Sequence, residues 1–401
     1  MPENKISPKK KYLFLMITTG IGGAERLQID YFKAIDYTKY SVIFAVSNDV
    51  FSPYFEKEGL PVRVIKLPEF KYSERFSKKF LTFYKFFASM HPDCIVFNQF
   101  WLKSFRLSEF VSAFLVAKGS VYMIVHDCPP AHPEFKSGFH LGIFPGLGIW
   151  WRKERFLQTS LAYFTKYALA VSKATGEILH KLHRFPKQKI KIVYHGVDVN
   201  KFAPSAENRI KLRKDLNMPD SDKIIVSTAR LDMLKRLDRL MEAFGILARE
   251  RKDIRLIFAG TGSQHNELVK IANSFNEDIK QRIKFLGFQE DVAAVLQACD
   301  IYALPSDSEG LPIACLEAMS CGLIAVVTDC GGTKELITDG NSGFIVDKSK
   351  EGVLQGLRDA LNLPEETKNR ISDNARKLVI ENFDLGRNVK YGLSLLEIKS
   401  G

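Results

Sequence analysis

The chain has 401 residues, 46% hydrophobic and 26% charged, with 26 Gly and 16 Pro; this excludes disordered and fibrous classes and supplies cores for two or three domains. Residues 1–200 carry 29 Lys and Arg against 16 Asp and Glu, so the whole formal excess of +12 lies in that half and the remainder is close to neutral. Cysteines at 94, 128, 299, 315, 321 and 330 form neither a C-x-x-C pair nor a disulfide framework, no apolar run reaches the length of a membrane span, and a reducing cytoplasmic setting is predicted.

In chain order, short apolar runs read as strands at Tyr12–Ile17, Ser41–Val46, Val62–Ile65, Cys94–Asn98, Val121–His126, Ala168–Ser172 and Ile190–Tyr194. A second series follows at Ile224–Thr228, Ile254–Ala259, Ile283–Leu286, Ile301–Leu304 and Ile324–Thr328. Helical spacing fills the intervals. The apolarity is continuous rather than alternating, which predicts parallel strands covered on both faces and therefore an α/β fold of two doubly wound domains. Val197–Asp222, with Pro204 and Pro219, reads as their connection. Ligands of such sheets bind beyond the carboxyl ends of the strands, so a cleft is expected where those ends face each other.

The first strand runs into Gly20-Ile21-Gly22-Gly23-Ala24-Glu25-Arg26, a glycine-rich turn that opens a helix and can face a phosphate. A dinucleotide fingerprint fails here, because Glu25 stands where a third glycine is required. After the first strand of the second half come Arg230 and Lys235, a forked donor and a point charge suited to a diphosphate. Ser308-Glu309-Gly310-Leu311-Pro312 leads through Ile313 to Glu317, placing two carboxylates eight residues apart, the first at a helix N-terminus and the second two turns down. Carboxylates accept hydrogen bonds from sugar hydroxyls, and the Gly310 and Leu311 amides would face the same ligand.

Gly22 to Arg26, Ala170-Val171-Ser172, His195-Gly196-Val197-Asp198, Arg230 to Lys235, Gly260-Thr261-Gly262, Phe285-Leu286-Gly287, Glu309 to Glu317 and Gly331-Gly332 to Glu335, in that order, closely resemble the retaining glycosyltransferases of family 4. The resemblance implies the GT-B architecture, two Rossmann-like domains facing across a cleft: an acceptor domain at 1–198, a nucleotide-sugar domain at 199–380, and a helical tail at 381–401 returning to the first. It implies that Glu317 holds the nucleotide ribose and that Glu309, with Gly310, Leu311 and Pro312, holds the donor sugar. Arg230 and Lys235 would neutralise the diphosphate with help from Gly22, Gly23 and Gly260, and Leu286, Gly287 and Phe288 would meet the base. His126 would stand by the transferring sugar, which makes Glu309, His126, Arg230 and Lys235 the catalytic set. His195 departs from the usual Asn of its turn, and Cys128–Arg155 is not explained by the family pattern.

The expected donor is a nucleotide sugar, UDP-linked in preference to GDP-linked, and the acceptor a glycan or lipid-linked hydroxyl in cell-surface polysaccharide or glycoconjugate synthesis. No cofactor or metal is expected: Asp220-Ser221-Asp222 copies a metal-binding D-x-D but precedes a strand, and His126, Cys128, His132 and His140 lack zinc-ligand spacing. An anionic membrane surface is the partner suggested by the basic half; the interleaved Phe and Lys of residues 71–90 either form the sheet-covering face of a helix or, with the Trp150-Trp151-Arg152-Lys153 patch, lie against anionic headgroups. Nucleic acid is not expected, since no recognition motif accompanies the charge. Two other classes fit the architecture, a sugar-nucleotide epimerase and a non-catalytic glycan-binding scaffold.

Overall fold

The computed structural model describes residues 9–18, 22–69, 75–99, 107–126, 160–181 and 183–401. The chain divides into two compact units, 1–195 with 388–401 and 196–387. The first holds a seven-stranded sheet in the order β3-β2-β1-β4-β5-β6-β7, with β1 Lys10–Met16, β2 Tyr40–Val46, β3 Val62–Lys66, β4 Cys94–Gln99, β5 Val121–Val125, β6 Tyr167–Ala170 and β7 Ile190–Ile192. All pairings are parallel, which accounts for the continuous apolar runs: Tyr12 to Met16 is fully buried on both faces.

On one face of this sheet lie Phe83 and Phe87 from the helix Phe76–Met90 and Phe110 from the helix Leu107–Val116, with Phe97 of β4 stacked on Phe110 at 4.1 Å between centroids. The end of the chain packs against this unit. Tyr12 donates to the Leu396 carbonyl at 2.9 Å, and a side chain at Gly392 would meet the buried Tyr31 hydroxyl at 2.0 Å, so only glycine lets the final helix lie that close.

The second unit carries a six-stranded parallel sheet in the order β10-β9-β8-β11-β12-β13. Its strands are β8 Lys223–Thr228, β9 Ile254–Ala259, β10 Ile283–Gly287, β11 Ile301–Leu304, β12 Ile324–Thr328 and β13 Phe344–Val346. The last is three residues long at the edge of the sheet, too short to register as an apolar run in the sequence.

Much of the segment read as the connection belongs to the second unit. Residues Ala206–Asp215 form a helix of this unit, capped by Ser205 and anchored by Arg213, which is 1% exposed. The Arg213 guanidinium pairs with Asp300 at 2.8 Å and donates to the carbonyls of Ala298, Pro219, Asp220 and Asp222. Asp222 of the D-x-D in turn accepts from Arg255 Nε at 2.6 Å, so its carboxylate already has a structural partner.

Candidate active site

The loops that follow β8, β9, β11 and β12 are stitched together by backbone contacts that tolerate no side chain at particular glycines. A Cβ on Gly260 would lie 2.0 Å from the Ala229 carbonyl oxygen, and one on Gly262 would lie 2.4 Å from that of Leu231. The Leu231 amide donates to Thr261 O at 2.9 Å and the Gln264 amide to Leu231 O at 2.8 Å, which locks the Arg230 loop onto the Gly260 loop. Gly331, at φ +53°, would place a Cβ 1.6 Å from the Glu309 carbonyl oxygen, so the loop after β12 is the floor on which Glu309 rests.

This framework brings Arg230, Lys235 and Glu309 together. Asp232 accepts from the Leu234 amide, closing the single turn Met233–Lys235, and pairs with Arg230 at 3.1 Å. Lys235 Nζ donates to Glu309 Oε1 at 2.7 Å, and the same oxygen accepts from Ser306 Oγ at 2.6 Å. Glu309 is 7% exposed and the Lys235 side chain 20%. Burial by itself lowers the pKa of an ammonium group, but the Glu309 carboxylate, helped by Asp232, more than reverses this and holds Lys235 above its ordinary value. Lys235 is therefore charged throughout the neutral range, and its ammonium group lies directly against the Glu309 carboxylate.

Glu309 does not stand at the helix N-terminus. The helix begins at Ile313, with Pro312 as its cap, so Glu309 sits in the preceding loop and Glu317 lies one turn into the helix rather than two, 5% exposed. Gly310, Leu311 and Pro312 are buried between them. On the other side of the sheet order, Gly287 ends β10 at φ +68° with nothing within 4 Å of its missing Cβ, and Phe288 beside it is 68% exposed, an aromatic face open to a planar base; Leu286 accepts from the Gln289 amide group. Arg230 is 67% exposed at its side chain and available to an anion.

Sequence reasoning missed the residues that hold this set in place. Ser306 shares Glu309 with Lys235, while Asp307 receives Arg239 at 2.7 Å and Arg236 at 3.3 Å. Arg236 follows the Lys235 turn in a left-handed conformation, at φ 47°, that favours glycine, and its bidentate pairing with Asp238 accompanies that backbone. No spacing rule flags these positions.

Within the first unit, Gly22 and Gly23 begin the helix Gly23–Lys33. Glu25, 4% exposed, accepts from the Gly22 amide at 2.9 Å and from Thr18 Oγ1 at 2.7 Å, so a carboxylate of the chain itself already caps this helix end. His126 follows β5. Its Nε2–H donates to Asn98 Oδ1 at 3.3 Å, an orientation fixed because Asn98 Nδ2 donates to Leu15 O. Loss of hydration first, and the electrostatic influence of the nearby His195 imidazole second, push the His126 imidazole down to about 3. Gly20, Ile21, the Cys128–Arg155 stretch and the Trp150 patch lie outside the described residues. Among the described residues, no three His, Cys, Asp or Glu side chains gather in a way that could hold a metal ion, and no helix is long and apolar enough to cross a membrane.

The sequence profile of Glycosyltransferase Family 4 matches residues 21–201 and that of Glycosyl transferases group 1 matches residues 208–378. The chain belongs to the family 4, group 1 glycosyltransferases. It is 29% identical over 217 residues to an N-acetyl-alpha-D-glucosaminyl L-malate synthase of Bacillus anthracis, covering 53% of this chain and 55% of that protein. It is 26% identical over 239 residues to a UDP-Gal:alpha-D-GlcNAc-diphosphoundecaprenol alpha-1,3-galactosyltransferase of Escherichia coli, covering 59% of this chain and 61% of the relative. The matched segments span about half the length of these curated relatives. In fold, the chain superposes on Anabaena Alr3699/HepE, crystallised with UDP, at a TM-score of 0.77 with 23% identity, over 96% of this chain and 99% of that one. The fold is that of GT-B glycosyltransferases, two parallel-sheet α/β domains.

A neutral, half-buried His126 makes a specific prediction. Because its folded-state pKa is depressed, the stability that depends on the neutral ring is intact above the unfolded value near 6.5 and is lost as pH falls from there toward 3. Imidazole resonances assigned to His126 should not titrate between pH 8 and 5. The unfolding free energy of the wild type should fall more steeply below pH 6.5 than that of His126→Gln, by up to about 1.4 kcal/mol per pH unit. Titration of the ring near pH 6.5 contradicts this.

Proposed function

We propose that the protein is a retaining glycosyltransferase that moves a hexose or N-acetylhexosamine from a nucleotide sugar to a hydroxyl of a glycan or lipid-linked acceptor, in cell-surface polysaccharide or glycoconjugate synthesis. The observation that carries this reading is the preassembled Lys235–Glu309 pair at the strand ends, with Arg230 beside it and Glu317 one turn into the next helix. A UDP-linked donor is favoured: the Anabaena neighbour was crystallised with UDP and the Escherichia coli relative is named for UDP-Gal.

In the proposed reaction the bond between the anomeric carbon and the departing phosphate oxygen breaks, and the acceptor oxygen bonds to that carbon from the same face. The acceptor proton passes to the leaving phosphate. Arg230 and Lys235 hold the charge that grows on the nucleoside diphosphate, so no metal is required. Glu309 accepts from the sugar hydroxyls and Glu317 from the ribose; a neutral His126, its Nε2–H already given to Asn98, would act toward a sugar hydroxyl only as an uncharged acceptor.

A screen of acceptor-free hydrolysis across UDP- and GDP-sugars, with chelator present, tests the reading. Slow release of UDP, unchanged by EDTA, is expected. Glu317→Ala should raise the donor KM, because ribose contacts exist in both ground and transition states, and Glu309→Ala should lower kcat by roughly 10²- to 10³-fold. Restoration of chelated activity by manganese would refute metal independence, interconversion of UDP-GlcNAc at its 2-position would favour the epimerase, and no turnover with any donor or acceptor the scaffold.

The acceptor side is proposed to work against an anionic membrane surface on the inner face of the cell membrane. The helix Phe76–Met90 divides its residues unequally: Phe83, Phe87 and also Lys79, at 2% exposure, point inward, while Phe76, Leu81 and Tyr84 are exposed along with Lys78 and Lys85. The neighbouring helix Leu107–Val116, joined to it by Ser112 Oγ donating to Phe80 O, adds exposed Leu115, and Lys118 follows. The one acidic residue on these two helices, Glu109, is buried. Apolar side chains among lysines with no exposed carboxylate suit lipid headgroups of negative charge. Vesicles of phosphatidylglycerol should sediment the protein at low salt and neutral phosphatidylcholine should not, and Lys78→Glu with Lys85→Glu should weaken binding roughly 25-fold or more. Equal recovery in both supernatants rules the membrane out.

A further inference from the structure

Lys235 is aimed through a single residue. The turn Met233–Lys235 and the helix Leu237–Glu250 are joined by Arg236 alone, which ends the one and opens the other. The helix is fixed, because Leu237, Leu240, Met241, Phe244 and Leu247 are sunk in the apolar core of the second unit. The turn has no such anchor, since Met233 at its start is 70% exposed. The backbone angles of Arg236, and the polar groups that hold them, therefore set where the Lys235 side chain begins.

Those angles are φ 47° and ψ 42°, a left-handed conformation that glycine enters freely and a residue with a side chain only under strain. Glycine would give the same backbone without the strain, so the arginine needs another justification, and its guanidinium supplies one. Nε and Nη2 donate to Asp238 at 3.1 and 2.8 Å, inside the fixed helix, while Nη1 donates to Asp307 Oδ2 at 3.3 Å. Asp307 stands in the loop after β11 that also carries Ser306 and Glu309, and each of its polar groups meets a different neighbour. Its amide donates to the Leu234 carbonyl at 2.9 Å, within the Lys235 turn. Its Oδ1 accepts from Arg239 at 2.7 Å, and its carbonyl oxygen accepts from Lys348 Nζ at 2.9 Å. The turn that carries Lys235 and the loop that carries Glu309 are thus tied at Leu234 and again at Arg236, both times through Asp307.

We propose that Arg236 and Asp307 are positioning residues: their ion pair holds the left-handed joint and so fixes the point from which the Lys235 ammonium reaches the diphosphate of a nucleotide ligand. The ligand half of this statement rests on the glycosyltransferase reading. The clamp between Arg236 and Asp307 is a property of the protein alone.

Calorimetric titration of the full chain with UDP tests the proposal in Arg236→Gly, Asp307→Asn and the double variant. Glycine suits the backbone of the joint and Asp307 is 35% exposed at its side chain, so both single variants are expected to fold, and Arg230, Lys235 and Glu309 are untouched in each. Each substitution is expected to weaken UDP about tenfold, the size of one misplaced charge-assisted hydrogen bond, and the double variant no further, because both cut the same link. A merely structural role would lower Tm and leave the affinity of the folded protein for UDP unchanged, which overturns the proposal. A loss confined to Arg236→Gly also overturns it, since Arg236 would then touch the ligand itself, and so do losses that add in the double variant. Wild-type protein that binds no nucleoside diphosphate overturns the functional reading instead. Melting then decides the clamp: the Tm shift of the double variant is expected to be smaller than the sum of the two single shifts, and additive shifts overturn it.

Discussion

One buried ion pair organises the second unit. Lys235 and Glu309 come from loops after different strands, 2.7 Å apart and largely out of water, and each makes the other's charge tolerable. Such a pair adds little net stability over apolar side chains of the same volume, yet removing one member leaves an uncompensated buried charge at a cost of about 3–5 kcal/mol. A site that keeps this arrangement is therefore better explained by what the charges do when they separate than by what they add when joined.

The rest of the unit serves that separation by holding everything else still. Gly260 and Gly262 let the loops after β8 and β9 touch backbone to backbone, Gly331 lets the loop after β12 support Glu309 from below, and Asp307 gathers Arg236 and Arg239 under the Lys235 turn. Charged groups in a preorganised frame need little rearrangement when a ligand's charge appears, which is the physical basis of electrostatic catalysis.

The strands were legible because parallel strands covered on both faces spell themselves as unbroken apolar runs; the twelve expected runs all fall on β1 to β12. The edge strand β13 is too short to carry that signal, and the helix Ala206–Asp215 hides because its sequence, AENRIKLRKD, has no apolar stripe. That helix is held by the guanidinium of Arg213 bonding to carbonyls, an anchor that looks like solvated charge in a sequence. Site residues followed the same divide. Arg230, Lys235, Glu309 and Glu317 were picked out by residue type, spacing and resemblance, whereas the contact between Lys235 and Glu309, 74 residues apart, and the roles of Ser306 and Asp307 exist only once the strands are aligned. Of the two readings of the Phe and Lys stripe in residues 71–90, Phe83 and Phe87 bear out the sheet-covering one, while Lys79 turns inward and Phe76, Leu81 and Tyr84 are the exposed apolar positions.

The central claim is that Glu309 and a nucleoside diphosphate compete for Lys235. Calorimetric titration of Glu309→Gln with UDP tests it most directly, because the substitution keeps the side chain's shape and removes only the rival charge. The account predicts that UDP binds this variant more tightly than the wild type, by about tenfold if the released lysine gains one charge-assisted hydrogen bond. UDP binding that is weakened by Glu309→Gln would contradict it, showing that the carboxylate supports the diphosphate site and does not compete with it.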